Sequence, residues 1–385
     1  MARARNAEGQ AVVKDALQLE LEKLEKDFGK GSLLGSNRED YEVVSTGSLA
    51  LDIALGIDGL AFGKAAEFIG WESSGKSTVT LHVIANAQRM GKNCLLIDGE
   101  NSFDPKYAQS LGINLAKLIV WQADEGGGER AYDVAERLIK TKMVQVVVID
   151  SQTALLPKKM IDDPAESSNI GLHARLLSRV VNKLNMWAAL NKCLMIYISQ
   201  FREKIGVMYG NPETTSGGHA LKFYSHVRIE FRKSVLTDDA KNAYANKTKA
   251  KVIKNKLAPP FKSAEFDIKY GEGIDKVKQV MDVSIDLEII TKAGSWYSYK
   301  GTNIGQGEDA VMAILRDNPG AVRDLSDRIK EKMVEVRAQE KADREARGIK
   351  FDEEGETMIQ VTPEGEITVQ GPTIMDDTDT INIVE

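Results

Sequence analysis

The chain has 385 residues, 42% of them hydrophobic and 28% charged, with a formal charge of −6 at pH 7. Such a length allows two to three domains at ~100–200 residues each, with enough apolar material for a sizeable core. No apolar run reaches the ~18 residues of a membrane span, the first twenty residues lack the apolar core of a secretory signal, and two lone cysteines, Cys94 and Cys193, exclude a disulfide framework and fit a reducing cytoplasm.

The charge is unevenly spread. After Lys350 there are ten acids and no Lys or Arg, which leaves the rest of the chain at +4. An acidic tail on a basic body either competes with a polyanion for that body or simply solvates the end of the chain. The four histidines, His82, His173, His219 and His226, have no metal-ligand spacing, so structural or surface roles are expected for them.

In chain order, residues 11–28 place Val12, Val13, Ala16, Leu17, Leu21, Leu24 and Phe28 near helical spacing, ahead of Gly29. A polar linker follows, so residues 1–36 read as an N-terminal arm that packs either on the core or on a neighbouring subunit. From about residue 43 apolar strands alternate with helices. AAEFIG is a strand, STVTLHVIANAQRM a helix, NCLLID a strand, and YAQSLG and residues 132–142 are helices. VQVVVID is a strand, HARLLSRVVNKLNMWAALN a long helix and CLMIYIS a strand. This alternation predicts an α/β core over residues 37–275, with a mainly parallel sheet covered on both faces. HVRIEFRKS, KAKVIKNK and SAEFDIKYG alternate more strictly and predict antiparallel strands at one edge. Residues 276–347 read as a small α+β domain, and residues 348–385 as an acidic, disordered tail.

Residues 70–77, GWESSGKS, fit G-x-x-x-x-G-K-[ST] between a strand and a helix. Gly70 and Gly75 let backbone N–H groups converge on phosphate oxygens at a helix N-terminus. Lys76 is expected on the β- and γ-phosphates, and the Ser77 hydroxyl on Mg²⁺. Asp150, at the end of a buried strand, is where such a fold needs a Mg²⁺-orienting carboxylate. Glu100 and Asp98 flank another strand end. A carboxylate there can activate the water that attacks the γ-phosphate, or serve only as an ion-pair partner. Lys254 and Lys256 alternate along a strand, so both side chains are expected on one face. They are either a solvated face or cations that complete a neighbour's ATP site.

Gln200 ends the CLMIYIS strand and opens a long polar segment, QFREKIGVMYGNPETTSGGHALKFYSHVR. A segment so rich in Gly, Thr and Asn cannot bury its own backbone and reads as a surface loop. Arg202 and Lys204 suit a nucleic-acid backbone, and Ile205, Val207, Met208 and Tyr209 suit the faces of unpaired bases. A strand end linking a nucleotide site to such a loop makes binding switchable.

Together these residues resemble the bacterial RecA recombinase family over nearly the whole chain. The most specific pieces are STGSLALDIALG (45–56), GWESSGKST (70–78), LLIDGENSFDPKYAQSLG (95–112), IGVMYGNPETTSGGHALKFY (205–224), KNKLAPPFKSAEFDIKYGEGI (254–274) and AGSWYSYKGTNIGQG (293–307). The resemblance implies a P-loop ATPase that uses ATP and Mg²⁺. It implies a head-to-tail filament on single-stranded DNA that exchanges strands with a homologous duplex. A LexA-type repressor and a single-strand-binding protein are further implied partners, and co-protease activity a further implied role. Glu72, Ser73, Ser74 and Thr78 join the nucleotide set. Glu100 matches the general base, Asp104 and Tyr107 the adenine contacts, and Gln200 the γ-phosphate sensor. Lys254 and Lys256 match lysines that act across the subunit interface. Residues 163–171 match a first DNA loop with Ile170 as a wedge. Arg175, Ser178, Arg202, Lys204, Ile205, Gly206, Val207, Met208, Asn211, Thr214, Gly217 and Gly218 match DNA contacts.

Some positions depart from the family pattern. Asn182 stands where an arginine is typical, DDPAESSN (162–169) diverges, and Asn303 and Glu308 replace lysines while Lys292 and Lys300 remain. These departures point to a divergent or phage-encoded member. A ring-forming helicase shares the core motifs, and a purely regulatory ATP–DNA filament shares the assembly, so both stand as alternatives.

Overall fold

The computed structural model describes residues 20, 23–24, 26–27, 41–164, 171–203, 213–215, 217–346, 349–351, 358–361 and 367–370. Residues 1–41 form one compact unit and residues 42–385 another. In the first unit the described positions between 20 and 27 are helical, and Lys23 pairs with Glu20 at 3.1 Å. The rest of the expected N-terminal helix lies outside the described residues.

The second unit is built on one large sheet. Its strands are β3 (Ala65–Gly70), β4 (Cys94–Asp98), β5 (Leu118–Gln122), β6 (Val146–Asp150), β7 (Leu194–Glu203), β8 (Glu213–Thr215), β9 (Val227–Thr237), β10 (Ala243–Asn255), β11 (Ser263–Lys269) and β12 (Gly273–Ile274). A separate pair, β1 (Val43–Val44) and β2 (Leu60–Ala61), precedes it in the chain. The order across the large sheet is β12-β11-β10-β9-β3-β7-β6-β4-β5, with β8 paired to β7. Strands β9, β3, β7, β6, β4 and β5 run parallel, and β10, β11 and β12 continue the edge antiparallel.

The parallel strands are buried on both faces, which is why they read as continuous apolar runs rather than alternating ones. Their two faces feed two cores. Ala66, Phe68, Leu96, Val146, Val148, Ile196 and Ile198 point into one. Ala65, Leu95, Ile97, Val147, Ile149, Met195 and Tyr197 point into the other. This is the two-residue period of a strand, and each fully buried Val, Leu, Ile or Phe contributes ~1.5–3 kcal/mol.

Among the described residues, Glu67 is the least exposed charged group in the interior. Glu67 on β3 is 1% exposed, accepts from Ser199 Oγ at 2.8 Å and Arg228 Nε at 2.6 Å, and lies opposite Arg228 in the β3–β9 register.

From Lys276 the texture changes. The helices Lys276–Asp286, Glu308–Asp317 and Pro319–Ala346 pack with β13 (Ile290–Ala293), β14 (Trp296–Tyr299) and β15 (Thr302–Gln306) around a third core. Leu49, Ala50 and Ile53, from the helix Leu49–Leu55, pack against that core. The replaced positions are occupied by local contacts: Glu308 takes Lys278 Nζ at 2.8 Å and Asn303 takes Ser298 Oγ at 2.7 Å.

Two expectations need correction. The tail from residue 348 is not wholly without structure: β16 (Ile349–Phe351), β17 (Met358–Val361) and β18 (Ile367–Gln370) form an antiparallel sheet. Acidic composition masks a two-residue alternation in Ile359–Val361 and in Ile367–Gln370. Lys254 and Lys256 do not simply alternate on one strand face. β10 shifts register between Val252 and Lys254 and ends at Asn255, so Lys256 lies beyond it.

Replacing Glu67 with Ala leaves the Arg228 guanidinium, only 13% exposed, without its carboxylate. We expect a loss of ~3–5 kcal/mol, measured as a lower urea midpoint for the core. An unchanged midpoint would show that this pair does not hold β3 to β9.

Candidate nucleotide and DNA site

The chemistry gathers at the carboxyl ends of the parallel strands, where open α/β sheets bind ligands. Register alone brings the pieces together: Gly70 lies opposite Gln200, and Asp98 opposite Asp150.

The loop after β3 is shaped by its glycines. A Cβ on Gly70 would meet the Phe231 carbonyl oxygen at 2.4 Å, and one on Gly75, at φ +98°, would meet Ile268 Cδ1 at 2.5 Å. Lys76 begins the helix Lys76–Arg89 and is 6% exposed. Its Nζ donates to the carbonyls of Gly70 (2.9 Å) and Trp71 (2.6 Å) and to Ser74 Oγ (3.3 Å). Burial lowers its pKa to about 8, against the opposing pull of Asp150, Glu100 and Glu72. The cation is thus held inside the loop that would wrap phosphates.

The Ser77 hydroxyl donates to the Asp150 carboxylate. Burial raises Asp150 to about 6, and the nearby Glu100 and Asp98 charges add to the rise. Among the described residues no three His, Cys, Asp or Glu side chains gather to hold a metal by themselves. A hydroxyl and a carboxylate side by side fit Mg²⁺, which takes few protein ligands and completes its shell with phosphate and water oxygens.

Glu100 follows β4 and is exposed. Its Oε1 accepts from Ser151 Oγ at 2.6 Å and from Gln200 Nε2 at 2.6 Å. Asp98 has a different task. It is 2% exposed, and its two oxygens accept from the Ser102 and Phe103 amides at 3.0 Å each. Asp98 therefore shapes the turn that presents Glu100, and Glu100 alone faces the other strand ends.

A cleft of about 670 Å³ opens beside the loop, lined by Ser73, Ser74, Gly75, Lys76, Ser77, Thr78, Asp104 and Tyr107 on one side. Asp104 caps the helix Pro105–Ser110 through Oδ1. The Tyr107 hydroxyl meets Thr78 Oγ1 at 3.1 Å, and burial raises the pKa of this phenol. Glu72 stands exposed on the loop. The opposite wall was not foreseen from sequence: it is Asn246, Ile268, Lys269, Tyr270 and Gly271 from β10, β11 and the turn after it. The Tyr270 hydroxyl donates to Asn246 Oδ1 at 2.8 Å, and Asn246 Nδ2 reaches the Ser73 carbonyl at 3.3 Å. Local spacing could not join residues more than 170 positions apart.

The residues expected to contact DNA fall beside this site. Arg175 and Ser178 are exposed one turn apart on the helix Leu172–Leu190. Gly217 and Gly218, at φ +94° and +76°, approach that helix closely: Cβ atoms there would meet Leu177 Cδ1 at 2.2 Å and Ala174 Cβ at 3.1 Å. Arg202 is exposed and pairs in register with Thr214. His173 Nε2 donates to the Gln152 carbonyl at 3.0 Å, tying this helix to the turn after Asp150. Burial keeps the pKa of His173 below the ordinary range. Ile170, Lys204, Ile205, Gly206, Val207, Met208 and Asn211 lie outside the described residues. Lys254 Nζ donates to the carbonyls of Lys222 and Phe223 at 3.1 and 3.2 Å, and neither Lys254 nor Lys256 lines the cleft.

Residues 15–275 match the model of the RecA N-terminal domain and residues 278–334 that of the RecA C-terminal domain. The chain is 49% identical over 324 residues to Protein RecA of Cytophaga hutchinsonii, covering 83% of this chain and 90% of that protein. It is 48% identical over 320 residues to Protein RecA of Clostridium novyi, covering 82% and 91%. It is 47% identical over 308 residues to Protein RecA of Azospirillum lipoferum, covering 79% and 85%. Two family models in tandem over most of the chain, with this likeness to several relatives, place the chain in the RecA family.

Proposed function

We propose that this RecA-family chain, an ATP-dependent DNA strand-exchange protein and DNA-dependent ATPase, couples its two ligands through the contact between Gln200 and Glu100. That contact, 2.6 Å long, is the observation that carries the reading. Glu100 stands where a carboxylate can orient and deprotonate a water. Gln200 is the last residue of β7 in register with the phosphate loop, and the segment directed at DNA begins two residues later at Arg202.

The backbone amides from Ser73 to Ser77, with Gly70 and Gly75 keeping the loop open, bind the phosphates. Lys76 supplies the cation, and Thr78, Asp104 and Tyr107 border the nucleoside. Ser77 and Asp150 would hold Mg²⁺, which spreads the charge of the β- and γ-phosphates when bound. A γ-phosphate that takes a hydrogen bond from Gln200 competes with Glu100 for the same amide. The result moves the end of β7, and with it Arg202. By reciprocity, DNA on the loop alters the ATP site. Lys254 and Lys256, outside the cleft of their own subunit, serve the nucleotide of a neighbour in a head-to-tail filament, with residues 1–36 as the arm that joins subunits. Arg175, Ser178, Arg202, Thr214, Gly217 and Gly218 contact the DNA backbone. No described helix is long and apolar enough to cross a membrane, and we place the protein in the cytoplasm.

Glu100→Gln should slow DNA-stimulated ATP hydrolysis by ~10²–10⁴-fold, the usual worth of a general base, with ATP-dependent binding of single-stranded DNA retained. Hydrolysis within a few-fold of the wild type would remove Glu100 from that role. Binding of the Mg²⁺-nucleotide should weaken as pH falls through about 6, because Asp150 gains a proton there and loses its charge. The comparison is Asp150→Asn, which retains the nucleotide's own titration. An inflection of equal size in both proteins would show that Asp150 is not the group responsible.

A further inference from the structure

The phosphate loop touches the segment expected to contact DNA at a second place, one residue along from the Gly70–Gln200 pairing. Trp71 follows Gly70, and its indole Nε1 donates to Glu213 Oε1 at 2.7 Å. Glu213 opens β8, the returning arm of that segment, which pairs with the end of β7 through Phe201↔Thr215, Arg202↔Thr214 and Glu203↔Glu213. Arg232 on β9 clamps the same carboxylate, with Nη1 on Oε1 at 2.9 Å and Nη2 on Oε2. Arg232 Nε is held in turn by Glu230 at 2.6 Å. The Phe201 ring lies 5.9 Å from the Trp71 ring and 5.4 Å from the Arg232 guanidinium, in tilted and cation–π contact. Only 14% of the Glu213 side chain is exposed, and the Arg232 contact, helped by Trp71, keeps its carboxyl below the usual range.

Four residues from three strands and one loop thus form a closed box. Trp71 belongs to two of its ends. Its carbonyl accepts from Lys76 Nζ at 2.6 Å, and its indole holds Glu213. A displacement of Lys76 or of the 70–75 loop is passed through one residue to the arm of the DNA segment.

We propose that Trp71 is a positioning residue that couples the phosphate loop to the returning arm of the DNA-binding segment through Glu213, by a route separate from Gln200. The proposal rests on the reading of residues 202–218 as a DNA-contacting segment. A hydrogen bond to a carboxylate within a clamped pair is stronger than a neutral one. Its loss should therefore shift DNA dependence by about tenfold, equivalent to ~1.4 kcal/mol.

The test uses the full chain and an oligothymidylate, reading the DNA concentration for half-maximal ATP hydrolysis. Trp71→Phe retains a ring against Phe201 and removes the N–H, and Glu213→Gln removes the charge. Each should raise that concentration ~10-fold, and the double variant should be no worse than the poorer single. Effects that multiply, or no shift in either single, overturn the coupling. A merely structural role would lower the maximal rate without moving the half-saturation point. If the wild type shows no DNA stimulation at all, the underlying DNA reading fails rather than this one. Indole emission gives a second measurement should Trp71→Phe not fold. Trp71 in Glu213→Gln has lost its charged acceptor, so its response to nucleotide and oligonucleotide should differ from that of the wild type. Identical responses overturn the proposal.

Discussion

The hydrogen bond from Gln200 Nε2 to Glu100 Oε1 is the contact on which the rest of the site depends. It joins the turn after β4 to the end of β7, two strands that are separated by β6 in the sheet. Ser151, at the end of β6, donates to the same oxygen and closes the gap. One carboxylate oxygen therefore gathers the ends of three parallel strands. Such an arrangement needs parallel register, because only then do these strands finish on one side of the sheet. It also needs Asp98 to be spent on the Ser102 and Phe103 amides, so that the turn holds Glu100 outward. A charged acceptor makes the bond strong, yet Glu100 is exposed enough for a phosphate or a water to compete for its partners.

Around this point the molecule repeats one device, a polar contact from a strand end to an element proposed to contact DNA. His173 donates to the Gln152 carbonyl and binds the helix carrying Arg175 and Ser178 to the turn after Asp150. Trp71 reaches Glu213 on the returning arm. A Cβ on Gly217 would collide with Leu177, and one on Gly218 would crowd Ala174, so the two glycines let that arm lie against the helix. The two regions proposed to contact DNA are thus brought side by side by close approach. The buried Glu67–Arg228 pair supports this from below by fixing β3 against β9, the strand that carries Arg232.

Much of this was legible in the sequence where chemistry is local. GWESSGKS between a strand and a helix, Asp150 at a strand end and Glu100 just past another each lie within a few residues of the signal that reveals them. The continuous apolar strands set between helices announced the parallel sheet, because burial on both faces demands such runs. Contacts set by register alone were not legible. Asn246 and Tyr270 face the phosphate loop, and Glu213 meets Trp71 across 142 positions of chain. The spacing of Lys254 and Lys256 suggests one strand face, but β10 ends at Asn255, between them. In the tail, the weight of acidic residues hid two short alternating runs that pair as β17 and β18.

The most direct measurement is joint-molecule formation between single-stranded DNA and a homologous supercoiled duplex, with and without ATP, for the wild type beside Gln200→Ala. The account predicts that the wild type makes homology-dependent joints only with ATP. It predicts that Gln200→Ala loses most of the ATP dependence of single-stranded DNA binding, keeping only what the Trp71–Glu213 contact passes on, and makes no joints. ATP-dependent joints from Gln200→Ala at the wild-type level would contradict it, since the contact to Glu100 would then not be needed for strand exchange.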